Sequence, residues 1–241
     1  LIWRYFTMIK AAIEKILEMA MPNELELHGK LYTDKRLYPV PVPRAETLEF
    51  KSLLGLCDTI KAELSESNTN IIVRVTSASR VDVYTSPYGN DNQRTYLYSC
   101  KAQLPVHEFG RFISLESMII ALRSKYVRTG ILDEHVQLLG SIFEESSVTT
   151  LDDGISQSAV VKKGVALKAN RTINPIVRLV PYRTFSEVEQ PASDFLFRLK
   201  EGGMAALFEA DGGAWEIEAR HNIAEFLRAN LSPMKYVIVA E

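Results

Sequence analysis

A chain of 241 residues, 46% apolar and 24% charged, has material for one large domain or two small ones and for a substantial core. Its net charge of −2 by itself predicts no polyanion partner. No run of about 18 uncharged apolar residues offers a membrane span.

The first stretch, LIWRYFTMIKAAIEKILEMA, carries Ile9, Ala12, Ile13, Ile16 and Leu17 at the spacing of one helical face. It predicts a helix over residues 8–20, ended by Met21-Pro22-Asn23. Arg4, Lys10, Glu14 and Lys15 break any export-signal core there. Cys57 and Cys100 are therefore expected as reduced structural thiols in a cytoplasmic protein. Two starts are open: residues 1–7 belong to the chain proper, or Met8 is the natural initiator and they are an extension.

LELHGKLYT reads as a short hairpin, and YPVPVP, with proline at every second position, as an extended linker or edge. Ser52 is placed to cap the helix SLLGLCDTIKAEL. NIIVRVTS, RVDVYTS and QRTYLYSCKAQL form a meander with PYGND as a turn. Ser114 opens the helix SLESMIIALRSKYV, and DEHVQLLGSIF predicts a shorter one. Strands follow at VTTLDDG, SQSAVVKKGVAL and PIVRLVPYRTF, and DFLFRL pairs with MAALFEA around KEGG. Trp215 to Ala229 is helical, with Ile217, His221, Ala224, Phe226 and Leu227 near one face, and KYVIVA is a closing strand. Strands in runs, not strict alternation, define an α+β fold, mainly antiparallel sheet with flanking helices. The expected division is an N-terminal helix (1–23), an α+β part (24–150) and a β-rich part with one helix (151–241), the last two packed as one domain.

Five features are candidates for chemistry. ALFEADGGAW (206–215) reads as a structural corner, in which Asp211 caps the following helix, Gly212 and Gly213 permit the turn, and Trp215 anchors the helix. A metal site on Glu209 and Asp211 is the alternative, without a spaced histidine or lysine to complete it. TFSEVEQPASDF reads as a solvated polar connection, whose Glu187, Glu189 and Asp194 would otherwise join a carboxylate cluster. The four histidines show no ligand spacing, and no GxSxG elbow is present. Tyr96 and Tyr98, at strand spacing behind Arg94, would share a face that can stack single-stranded bases or be half-buried sheet.

The fifth feature is charge order. From Gly154 to Ser186, Lys162, Lys163, Lys168, Arg171, Arg178 and Arg183 give +6 with no acid. From Glu187 to Glu225 nine acids face three bases, giving −6. The two blocks either neutralise each other within a subunit, meet between subunits, or leave the basic block to bind an anion such as nucleic acid.

DDGISQ, NPIVRLVPYRTFSEVEQPASDFLFRLK and ALFEADGGAW together resemble the YfdQ-like proteins of tailed phages and prophages. The likeness is densest from about Asp152 to Leu227 and extends weakly back to about Leu31. That family has no established activity and no assigned catalytic residues, so the resemblance implies a setting in an infected or lysogenic bacterium and little chemistry. The expected protein is a non-enzymatic cytoplasmic homo-oligomer with no cofactor or membrane. A single-strand-binding accessory of phage recombination is the alternative, and a metal-dependent nuclease or hydrolase the third.

Overall fold

The computed structural model describes residues 2–27, 30–34, 46–64, 70–88, 92–143, 148–152, 157–163, 166–232, 234–235 and 237–241. The chain divides into two compact units, Leu1–Ala45 and Glu46–Glu241.

The first unit holds α1 (Ile2–Ala20) and an antiparallel hairpin of β1 (Glu24–Leu27) and β2 (Lys30–Thr33). The helix starts six residues earlier than expected, because nothing in IWRYFT breaks it. After Pro22, Asn23 is fixed by its N–H and side-chain amide, which donate to the two carboxylate oxygens of Asp34 at 2.8 and 2.7 Å. The hairpin thus groups with the N-terminal helix, whereas the sequence reading grouped it with residues 46–150. The proline segment YPVPVP and most of the PYGND turn lie outside the described residues.

The second unit begins with β3 (Leu48–Phe50), α2 (Leu53–Leu64), β4 (Ile71–Ser77), β5 (Arg80–Thr85) and β6 (Tyr96–Lys101). Then come β7 (Ile113–Ser114), α3 (Leu115–Lys125), α4 (Gly130–Phe143), β8 (Val148–Asp152), β9 (Gln157–Lys163) and β10 (Ala166–Ile173). β11 (Ile176–Leu179), β12 (Ser193–Lys200), β13 (Met204–Glu209), α5 (Ala214–Leu231) and β14 (Val237–Ala240) complete it. The fold is α+β. One sheet runs β14-β4-β5-β6-β3, a second β11-β12-β13-β7, and a third β10-β9-β8.

Alternation explains the first sheet: Ile71, Val73, Val75, Val81, Val83 and Cys100 point one way and are buried under α2 and α5. The second sheet presents Val177, Leu179, Phe195, Phe197 and Leu207 to α3 and α4. Ser52 and Ser114 act as expected, accepting from the N–H of Gly55 (3.3 Å) and Ser117 (3.1 Å). Cys57 and Cys100 are free and buried, which pushes their thiols up to about 11 and about 12.

The sheets are mainly antiparallel, as expected, with the two edge pairs of the first sheet, β14 on β4 and β3 on β6, parallel. Three expectations change. α4, at 14 residues, is longer than α3, at 11, because Gly130-Ile-Leu joins its first turn. The strand expected over 175–185 stops at Leu179, ahead of Pro181, which has no N–H for a ladder. In α5 the buried stripe is Ala219, Ile223, Ala224, Leu227 and Leu231. Ile217 is 62% exposed and His221 lies outside, because the packed face is set by the sheet beneath it.

Candidate functional site

The densest polar assembly is built around Arg183. The segment after β11 turns inward and leaves Arg183 5% exposed, although arginine is among the residues least often buried. Its Nη1 donates to Glu209 Oε1 at 2.8 Å, at the end of β13. Its Nη2 donates to the Ser193 hydroxyl at the start of β12. Ser193 donates onward to Asp211 Oδ2 at 2.5 Å. The guanidinium carbon stands 4.0 Å from the Trp215 ring centroid and 5.6 Å from that of Phe195. Glu209, Asp211 and Trp215, close in sequence, therefore meet on one distant arginine.

The glycines follow from that geometry. Gly212 and Gly213 adopt φ of 62° and 82°, left-handed values that side chains other than glycine's resist. Asp211 Oδ1 accepts the Gly213 N–H at 3.2 Å, and Gly213 itself, without a side-chain bond, stands at the N-cap of α5. The expected Asp211 cap is thus corrected: the carboxylate closes the turn one step before the helix. Burial pushes the Asp211 carboxyl up, but the Ser193 hydroxyl, the Gly213 N–H and Arg183 outweigh it and hold the acid below its ordinary value. Burial lowers the Arg183 pKa, opposed by Glu209 and Asp211.

The positive charge beside Glu209 and Asp211 is Arg183, and among the described residues no group of three or more metal-ligating side chains occurs.

TFSEVEQPASDF is not a solvated connection throughout. Gln190, 8% exposed, accepts the N–H groups of Arg183 (3.0 Å) and Thr184 (3.1 Å) and donates to the carbonyls of Phe185 and Val188. Thr184 donates to Ala78 O at 2.6 Å, and Glu187 accepts the Leu53 N–H at 2.8 Å. The segment ties the first sheet and α2 to the second sheet.

Two members of the basic block meet the acidic block within one subunit: Arg183 at Glu209, and Arg178 at Asp194 (3.3 Å) on the cross-strand pair of β11 and β12. Lys162 and Lys163 on β9 and Lys168 and Arg171 on β10 belong to the third sheet, and their side chains lie outside the described residues.

Tyr96 and Tyr98 do not share a face. Tyr98 pairs with Val83 and Tyr96 with Tyr84, so Leu97 is the extra residue of a bulge. Tyr98, 4% exposed, points into the core, edge-on to Phe50, with its hydroxyl 2.5 Å from Glu63 Oε2. Tyr96 lies on the opposite face, stacked on Tyr84 at 5.0 Å. Its hydroxyl donates at 2.7 Å to Asp82, a buried carboxylate that also accepts from Thr76, Arg80 and Ser99.

Sequence reading did not find Ser193 or Asp82, which bond across strands, or Gln190, whose partners are the peptide groups of the same short segment (Arg183, Thr184, Phe185 and Val188). A buried-looking arginine inside an apolar run, LVPYRTF, was the one available signal for Arg183. Compared with family models, curated proteins and solved structures, the chain gives no match. No helix among the described residues is long and apolar enough to cross a membrane.

Proposed function

We propose that the protein is a non-enzymatic, self-assembling homo-oligomer whose subunits are joined through α1. The observation that carries this reading is the apolar stripe of that helix: Ile9, Ile13, Ile16 and Leu17 are 54%, 52%, 65% and 58% exposed. With Met19 and Met21, also more than half exposed, they amount to roughly 600 Å² of apolar surface per subunit, about what one side of a specific interface needs. The polar side of the helix is neutral over residues 9–20, with Lys10–Glu14 and Lys15–Glu18 pairs. That balance suits a like helix better than an anionic surface. The Arg183 corner then has a structural role, as its charge is matched within the subunit. The likeness to YfdQ-like proteins supports a setting in the cytoplasm of an infected or lysogenic bacterium. Light scattering on a sizing column tests the reading: a multiple of 27.2 kDa supports it, and a strict monomer removes it.

A second reading rests on the Tyr84–Tyr96 stack, half-buried on the sheet face opposite α2 and α5 and accompanied by exposed Arg74 and Lys101. It is a single-strand-binding accessory, with Tyr96 alone keeping the stacking role first assigned to the pair. Salt-sensitive anisotropy with a labelled oligonucleotide, lost in Tyr96→Ala, supports it; no binding at low salt removes it.

A further inference from the structure

The segment between β6 and β7 is tied to the second sheet and to α3. The Gly110 N–H donates to Leu207 O on β13 at 2.8 Å, and Lys125 Nζ donates to Val106 O at 2.7 Å. Segment, helix and strand enclose a recess of about 160 Å³. A cavity of about 150 Å³ with apolar walls holds one benzene molecule, so this recess has room for a ring of that size. Phe109, Ile113, Met118, Ala121 and Leu207 make most of its wall apolar.

Two neutral polar groups interrupt that wall. Tyr126 is 6% exposed, and its hydroxyl makes no hydrogen bond among the described residues, although a buried phenol ordinarily finds a partner. Burial holds it well above the usual tyrosine range, so it stays an O–H donor. The second group is His107. Its Nε2 lies 3.1 Å from Tyr182 O, a carbonyl that only accepts, so Nε2 carries the proton and Nδ1 keeps a free lone pair. Burial lowers the His107 pKa, which favours the neutral ring. That ring stacks on Phe109 at 5.0 Å and meets Tyr126 edge-on at 5.3 Å. Two charged side chains also line the recess, Lys125 and the exposed Glu108. The first disfavours a cation and the second an anion, whereas a neutral guest meets neither penalty.

We propose that this recess binds a small, free, uncharged phenol, with the ring among the apolar side chains and the hydroxyl at Tyr126 and His107. A hydroxyl is the group that answers both partners: its hydrogen goes to His107 Nδ1, and its oxygen accepts from the Tyr126 O–H. A carboxylate brings no proton for Nδ1, and an ammonium brings no lone pair for the Tyr126 proton. An aliphatic alcohol fills the same space but forgoes the edge and face contacts that the Phe109, His107 and Tyr126 rings offer another ring.

The test titrates the full chain with phenol and, separately, with toluene, followed by ligand-observed NMR. Saturable phenol binding is expected, with a Kd of about 1 mM or tighter. Tyr126→Phe keeps the ring and breaks no hydrogen bond of the fold. It should weaken phenol by about fivefold to tenfold and leave toluene within about twofold. Ala121→Leu fills the recess from α3 and should weaken both by about tenfold or more, with a cooperative melt to show that the variant is folded. Four outcomes overturn the proposal: no saturation by about 10 mM phenol, equal changes for the two molecules in Tyr126→Phe, unaltered binding in a folded Ala121→Leu, or N-acetyl-tyrosinamide bound more tightly than phenol. The last would give the recess to a tyrosine side chain of a partner protein.

Discussion

The Arg183 corner and α1 sit at opposite extremes of how a chain disposes of its chemistry. At the corner a full charge is 5% exposed, and its guanidinium is met by Glu209, Ser193 and Trp215 from β13, β12 and α5. On α1 the apolar stripe is more than half exposed at every large described position. One region is closed within the subunit and the other is open. The sequence left open whether the opposite-signed blocks meet within a subunit or between subunits, and showed the N-terminal helix only as one with a single apolar face. The closed pairs are Arg183–Glu209 and Arg178–Asp194, and the open surface is apolar.

The comparison breaks most readily at Arg183. Arg183→Met should cost about 1–3 kcal/mol in urea unfolding, since it removes the bonds to Glu209 and Ser193 while Glu209, 41% exposed, stays in reach of water. Adding Glu209→Gln should recover part of that loss. A loss under about 1 kcal/mol would mean the corner is not closed in solution.

His135 sharpens the contrast between groups that are matched and groups that are merely buried. Its ring is neutral in the fold, with a pKa near 4 against about 6.5 unfolded, so the unfolded chain binds the proton more tightly. The stability it contributes is complete above about pH 6.5 and is lost as pH falls toward 4. Between pH 7 and pH 5 the parent should lose about 2 kcal/mol more than His135→Phe. Equal losses would contradict the buried neutral ring.

At Gly213, Ala should cost about 1 kcal/mol and Val about 2, from the left-handed backbone alone, because no atom lies within 4 Å of an added Cβ. An unchanged melting point in the Val variant would dismiss the turn. The smallest effect is Tyr98→Phe, which removes one bond to the exposed Glu63 and should cost less than about 1 kcal/mol.

What the sequence made legible was local. Ser52 and Ser114 were readable as caps, since the capping bond reaches only three residues on. The β12–β13 hairpin was readable from its alternation and the Glu201-Gly-Gly turn. Tyr96 and Tyr98 were misread because a period of two holds only while pairing is regular, and the bulge at Leu97 turns one ring over. The buried face of α5 was misplaced because Ile217 is apolar yet uncovered, and only the sheet beneath decides which stripe is used. The Arg183 corner was half legible: its turn was visible in Asp211-Gly-Gly, but the arginine it serves lies 28 residues earlier in the sequence. The parallel edges β3 and β14 were invisible for the same reason, as each pairs with a strand remote along the chain.

The most direct measurement is the mass of the full chain in solution beside that of Ile13→Lys with Ile16→Lys. Those side chains are 52% and 65% exposed, so the substitutions leave subunit packing alone. The account predicts a multiple of 27.2 kDa for the parent and 27.2 kDa for the variant, with an unchanged melting temperature for residues 46–241. A parent that elutes as a monomer, or a variant that assembles as the parent does, would contradict it.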